Sequence, residues 1–268
     1  MQRIRLRYTK RGRLRFTSHR DFQRAFERAL RRAAVPMAYS AGFTPHPKVS
    51  YANAAPTGVG SEAEYLEIGL AQTRDPEQLR LLLDASLPAG LDIVDAVEAH
   101  TSGLAERLEA SVWQLRLDGV TPDEARRAVT AFLAAETVEV QRGTKNGIRT
   151  FDCRAAVTRL DVVDTTPPDA AQAGLSDDNE NASPDPEAGA GRPHDGACAI
   201  LRLVVRHLTP AVRPDDVLSG LRATADLAPP VPVAVTRLAQ GPLDEESGTV
   251  TDPLAPDRDA VAVPAGSA

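Results

Sequence analysis

Arg3-Ile4-Arg5-Leu6-Arg7-Tyr8 alternates charge and apolar bulk with a period of two, the pattern of a strand with one buried face. After a Lys10-Arg11-Gly12 turn the alternation resumes in Arg13-Leu14-Arg15-Phe16. The opening therefore reads as a hairpin or a bulged strand, with Tyr8 and Phe16 on its apolar side. Such a face needs a covering layer, and the next segment supplies one. Ser18 stands as an N-cap with Asp21 three residues on, and Phe22, Ala25, Phe26, Ala29, Leu30 and Ala33 share one side of a helical wheel. Arg20, Arg24, Arg28 and Arg31 gather on the other side, and Pro36 ends the helix.

Working outward, a short strand and a loop occupy Met37 to Ser50, and Tyr65–Leu70 alternates as a strand. A helix starts at Asp75-Pro76 with Leu79, Leu82, Leu83 and Leu87 facing inward, and Leu91–Val97 closes the unit. The order β-α-β-β-α-β is the ferredoxin-like pattern. It recurs: a strand at Val112–Leu117, a Thr121-Pro122-Asp123-Glu124 helix start with Val129, Phe132 and Leu133 inward, and strands Thr137–Gln141 and Ile148–Val157 about an Asn146-Gly147 turn. A strand at Ala199–His207, a helix at Pro214–Ala225 and a strand at Val231–Leu238 complete it. The fold class expected is α+β, with two tandem ferredoxin-like (βαββαβ) units at 1–103 and 108–240. Residues 164–197 hold eight acids against Arg192 alone and read as a disordered acidic insert. Residues 241–268, six acids against Arg258, read as a disordered acidic tail.

The chain's 268 residues carry a net charge of −6, but its distribution is lopsided. Residues 1–50 balance at +11 and the remainder at −17. Two cysteines exclude a disulfide scaffold and a CxxC site, and no CxxxCxxC is present to ligate an iron–sulfur cluster. With no long apolar run and no signal-type N-terminus, the expected compartment is the cytoplasm, without membrane association.

Arginines on one sheet face and one helix side are the strongest chemical signal. Like charges across a strand pair repel, so acids elsewhere in the chain, its acidic tails or an external polyanion must neutralise them. The expected polyanion-binding set is Arg3, Arg5, Arg7, Arg13, Arg15, Arg20, Arg24, Arg28, Arg31 and Lys48. With Tyr8 and Phe16 turned to the apolar side, phosphate contact is expected rather than base stacking. No helix-turn-helix or zinc-finger pattern occurs, which favours RNA over duplex DNA.

The catalytic candidates are few. His19 opens the first helix beside Asp21, and His46 is held between Pro45 and Pro47; either imidazole suits acid–base work, though packing or a backbone hydrogen bond accounts for each more simply. Glu62 and Glu64, two apart on a strand, could hold a cation, but pairing with arginines is the simpler account. No metal site, phosphate loop or nucleophile elbow is present.

Ser18-His19-Arg20-Asp21, Gly42-Phe43-Thr44-Pro45-His46-Pro47 and Ser61-Glu62-Ala63-Glu64-Tyr65, in this order, resemble the DUF2344 family of radical-SAM-linked proteins. The motif positions carried over are Ser18, His19, Asp21, Gly42, Phe43, Pro45, His46, Pro47, Ser61, Glu62, Glu64 and Tyr65. Arg20 stands where many members have an aliphatic residue. The resemblance implies a stand-alone companion of a B12-binding-type radical SAM protein. That partner would carry the iron–sulfur cluster, S-adenosylmethionine and, by its type, cobalamin; this chain would bind no cofactor itself.

The leading expectation is a non-catalytic accessory protein that binds RNA, or a similar polyanion, through its arginine face. The alternative is an RNA-processing or RNA-modifying enzyme with His19 and His46 as acid and base, an analogy from fold alone. A third reading has the basic face docking on an acidic protein.

Overall fold

The computed structural model describes residues 1–145, 147–163 and 196–262. Over the described residues it is a mixed α+β protein with five helices and an eight-stranded sheet. In the first half, β1 (Gln2–Lys10) lies between β3 (Gly60–Leu70) and β4 (Ile93–Glu98), antiparallel to both, and β2 (Val49–Ala52) pairs with β3. Helices α1 (His19–Arg32) and α2 (Pro76–Asp84) alternate with these strands. The second half runs β5 (Ala110–Asp118), α3 (Pro122–Ala134), a separate hairpin β6 (Glu139–Thr144) and β7 (Gly147–Asp152), then β8 (Val157–Val163), β9 (Cys198–Arg206), α4 (Pro214–Ala225) and β10 (Ala234–Gly241). The main path of the sheet is β4-β1-β3-β10-β5-β9-β8. Leaving the hairpin aside, the strands of each half, counted within it, stand fourth, first, third, second. The halves meet where β10 runs parallel to β3, Thr236 opposite Gly60 and Arg237 opposite Ser61.

Local chemistry sets the helix ends. Ser18 Oγ accepts from the Asp21 N–H at 3.2 Å, Asp75 Oδ1 from the Gln78 N–H at 2.8 Å, and Thr121 and Glu124 form the full capping box. Under α1 and α2 the core joins Ile4, Leu6 and Tyr8 to Phe22, Phe26 and Leu30, with the Tyr8 and Phe22 rings stacked 4.3 Å apart. Under α3 and α4, Trp113, Leu115 and Leu117 meet Phe132, Val217 and Leu221. Leu82 and Leu133, expected inside, are exposed.

Gly220 lets α4 settle on α3: a Cβ there would lie 2.7 Å from the Phe132 ring and 3.0 Å from Cys153 Sγ. Helix propensity alone favours alanine by about 1 kcal/mol. The contact dominates, so Gly220→Ala is expected to destabilise the fold by about 1–3 kcal/mol, read from urea unfolding.

Three expectations are corrected. Residues 13–16 are not a returning strand; Gly12–Phe16 forms a 3-10 turn. Both edges of β1 are already taken by β3 and β4, so the alternation there has nothing to pair with. The stretch read as one strand, Ile148–Val157, is two strands broken by a 3-10 turn at Arg154–Ala156.

The third correction concerns the acidic tail. Beyond β10 it forms a small hairpin, β11 (Leu243–Asp244) with β12 (Thr249–Val250), and then helix α5 (Ala255–Ala262). Leu254 packs with Tyr65, Val97, Leu104 and Leu108 on the sheet face opposite α1 and α2, the face that carries Arg3, Arg5 and Arg7. Of the expected acidic insert, residues 164–195 lie outside the described residues, as do 263–268 of the tail.

Candidate functional site

The arginines separate into two sets. Arg3, Arg5 and Arg7 do share the sheet face away from α1, but there Arg3 and Arg5 are neutralised from within. Arg5 is 1 % exposed; its Nε donates to Glu67 at 2.9 Å, its guanidinium pairs with Asp257, and it donates to the Thr101 carbonyl at 2.8 Å. Arg3 pairs with Glu67 at 3.3 Å, whereas Arg7, near the Tyr65 phenol, is in no ion pair among the described residues and its buried Nε has no hydrogen-bond partner there. Burial alone would raise the Asp257 carboxyl, yet hydrogen bonds from Thr101 and the Arg5 guanidinium hold it down at about 2. Lys48 lies on this same side, its ammonium 3.6 Å from the Met1 sulfur. Arg5 is therefore withdrawn from the polyanion-binding set: desolvated and paired, it cannot reach a ligand.

The other set belongs to α1 and the turn before it. Arg13, Arg15, Arg20, Arg24, Arg28 and Arg31 are all exposed, and among the described residues none of them is in an ion pair. Phe16, expected to be buried, is 58 % exposed, with the Arg15 guanidinium 4.7 Å from its ring centre. The 3-10 turn causes this reversal, because it lacks the period-two alternation that would have turned Phe16 inward.

His19 is exposed at the first turn of α1, bonded to Gln23 at 3.0 Å and edge-on to Tyr51. Asp21 caps the helix with Ser18. His46 is exposed in the loop between α1 and β2, where its N–H donates to Ser40 Oγ and its carbonyl accepts from the Ser40 N–H. No contact among the described residues joins the two imidazoles. Phe43, at the tip of that loop, is fully exposed. Gly42, between Ser40 and Phe43, has a φ of 127°, which suits glycine alone.

The motif glutamates pair, each with a different arginine. Glu62 pairs with Arg11, Glu67 with Arg3 and Arg5, and Glu64 with Arg237 of β10. The last pair lies at the join between the halves, each side chain 2 % exposed. Arg237 also donates to Ser61 Oγ at 3.3 Å and to the Asn53 carbonyl at 2.8 Å, and lies over the Trp113 ring. Glu64 accepts in addition from the Ala55 N–H at 3.0 Å. Beside it burial lowers the Lys10 ammonium and raises the Tyr8 phenol, the latter with help from Glu64. His207 completes the seam. Its Nδ1 lies 2.5 Å from the Leu108 carbonyl and its Nε2 2.7 Å from Ser111 Oγ, and burial lowers its pKa. Both nitrogens of the neutral ring are thus occupied.

Two clefts open on this seam. One, ≈ 350 Å³, is lined by Lys10, Arg11, Arg15, Phe16, Gly60 and Thr236 among others. The second, ≈ 390 Å³, is lined by Asn53, Trp113, His207, Arg213 and Arg237 among others. Neither is lined by His19 or His46. Among the described residues no group of three or more His, Cys, Asp or Glu side chains could hold a metal, and no helix is long and apolar enough to cross a membrane.

Sequence reasoning missed Arg237, Gln240 and His207. The signal for Arg237 was a lone charge inside an apolar closing strand; its partner lies 173 residues away, beyond any local pattern.

Comparison with curated proteins gives no match. A family model described as "Uncharacterized protein conserved in bacteria (DUF2344)" matches residues 3–214, which include every motif position from Ser18 to Tyr65. Over most of its length, then, the chain belongs to the DUF2344 family.

Proposed function

We propose that this protein is a non-catalytic accessory that binds RNA through the arginines of α1 and of the turn before it, and serves a B12-binding-type radical SAM enzyme. In this reading each half is a ferredoxin-like unit, and the partner carries the iron–sulfur cluster, S-adenosylmethionine and cobalamin. The observation that carries it is the contrast between the two arginine sets. The fold neutralises Arg3 and Arg5 of the sheet with Glu67 and Asp257 and leaves the six of α1 and the preceding turn solvated and without ion pairs among the described residues. A row of exposed guanidiniums is suited to phosphate oxygens.

Filter binding to RNA tests this, since phosphate contact is strongest at low salt. Affinity at about 50 mM salt is expected, and its absence there overturns the reading. Changing Arg20, Arg24, Arg28 and Arg31 together to glutamine should make the slope of log affinity against log salt shallower by about 3 for single-stranded RNA. Pulldown with and without ribonuclease tests the partner: a radical SAM protein should co-purify under both conditions.

A further inference from the structure

Phe16 does more than break the expected pattern. It sits on the wall of the ≈ 350 Å³ cleft between the Gly12–Phe16 turn and the first residues of β3 and β10. The ring is 58 % exposed and Arg15 lies against it without an ion pair among the described residues. Arg11, on the same wall, is already neutralised by Glu62 and Asp92. Across the cleft stands Thr236, whose partly exposed hydroxyl is of the kind that reads a base edge; the Ser61 hydroxyl there is buried and the Glu62 carboxylate is held by Arg11. Gly58 closes one end: its φ is +90°, its N–H donates to the Arg15 carbonyl at 2.8 Å, and Phe16 is the neighbour a Cβ there would meet. The turn that presents Phe16 is therefore tied to the opposite wall. It does not hang free.

Resting on the RNA-binding reading above, we infer that this cleft takes one unstacked base of a single-stranded RNA on the Phe16–Arg15 platform, while the α1 arginines hold the adjoining phosphates. An aromatic face inside a concave cleft needs a base that can leave its stack, which a loop or single strand offers and a duplex does not. The cleft lies within the size range of small-ligand sites, so it accommodates a single base and excludes a paired one. A purely electrostatic surface has no use for an exposed phenylalanine, whereas stacking platforms combine aromatic rings with nearby guanidiniums. Thr236 and Gly60 come from β10 and β3, so both halves of the chain build the site.

Fluorescence anisotropy with a labelled oligouridylate, on the full chain at about 50 mM salt, tests this. Phe16→Ala should weaken binding about tenfold or more with an unchanged salt slope, and Phe16→Tyr should retain it. Arg15→Gln should weaken binding and make the slope shallower by about 0.7. A perfectly paired RNA duplex should compete poorly. Phe16→Ala binding like the parent, or a duplex competing as well as the single strand, overturns the base site and leaves the arginine reading standing. If the parent protein binds no oligouridylate and no other RNA, both fall together. Phe16 is a surface residue in a turn, so its loss should leave the melting temperature unchanged, which separates a lost contact from a lost fold.

Discussion

Arg237→Met should destabilise the fold by about 3–5 kcal/mol, because it leaves the Glu64 carboxylate buried without its cation. Glu64 retains only the Ala55 N–H, 3.0 Å away, as a close neutral donor, too little to compensate a charge held at 2 % exposure. Glu64→Gln should cost a similar amount from the other side, although Arg237 keeps its bonds to Asn53 and Ser61. The double variant should lose less than the sum of the two by about 1–3 kcal/mol, since neither orphaned charge remains. Urea unfolding of all four proteins gives the cycle. Additive losses would mean that the pair is not coupled and that Arg237 acts through packing on Trp113 alone. The expected effect is large because the pair stands where β3 and β10 meet through only two residue pairs.

The second large effect belongs to Asp257. Asp257→Ala should cost about 3–5 kcal/mol, because Arg5 is buried beneath α5 and Glu67 alone cannot replace the lost partner. The His100 and Thr101 N–H groups, which donate to Asp257 at 3.0 and 2.9 Å, lose their acceptor as well. The pH dependence has a definite sign. The folded carboxyl titrates at about 2, below the unfolded value of about 3.9. Its contribution is complete above the unfolded pKa and is lost as the pH falls through the folded one. The parent should therefore lose stability between about pH 4 and 2 more steeply than Asp257→Asn, which has no proton to gain there. Equal slopes in that window would remove Asp257 from the account of acid stability.

Much of this architecture is legible in the sequence, and the exceptions share a cause. Periodicity places α1 through Phe22, Phe26 and Leu30 and places β3 and β5 through their apolar alternation, and β-branched residues place β9, because each of these signals lies within a few residues. The same local rule misreads Arg13–Phe16, where a strand pattern meets a β1 with no free edge. It misreads the tail too, since acidity and prolines suggested solvation while Asp257 was meant for Arg5, 252 residues away. For the candidate site, the charged stripe of α1 could be read from helical spacing. Which arginines stay exposed could not, because that depends on where Glu67, Asp257 and Tyr65 arrive. The shift from pure phosphate contact to a base platform follows from one reversed side chain, Phe16.

The position of α5 has a consequence for synthesis. Arg5 is synthesised 252 residues before Asp257. At about 5–20 residues per second, the arginine waits roughly tens of seconds for its acid. For most of that interval Glu67 is the one acid of the finished protein's Arg5 cluster that the chain has already supplied. The second half of the Arg5 ion-pair cluster therefore forms only after almost all of the described chain has been made.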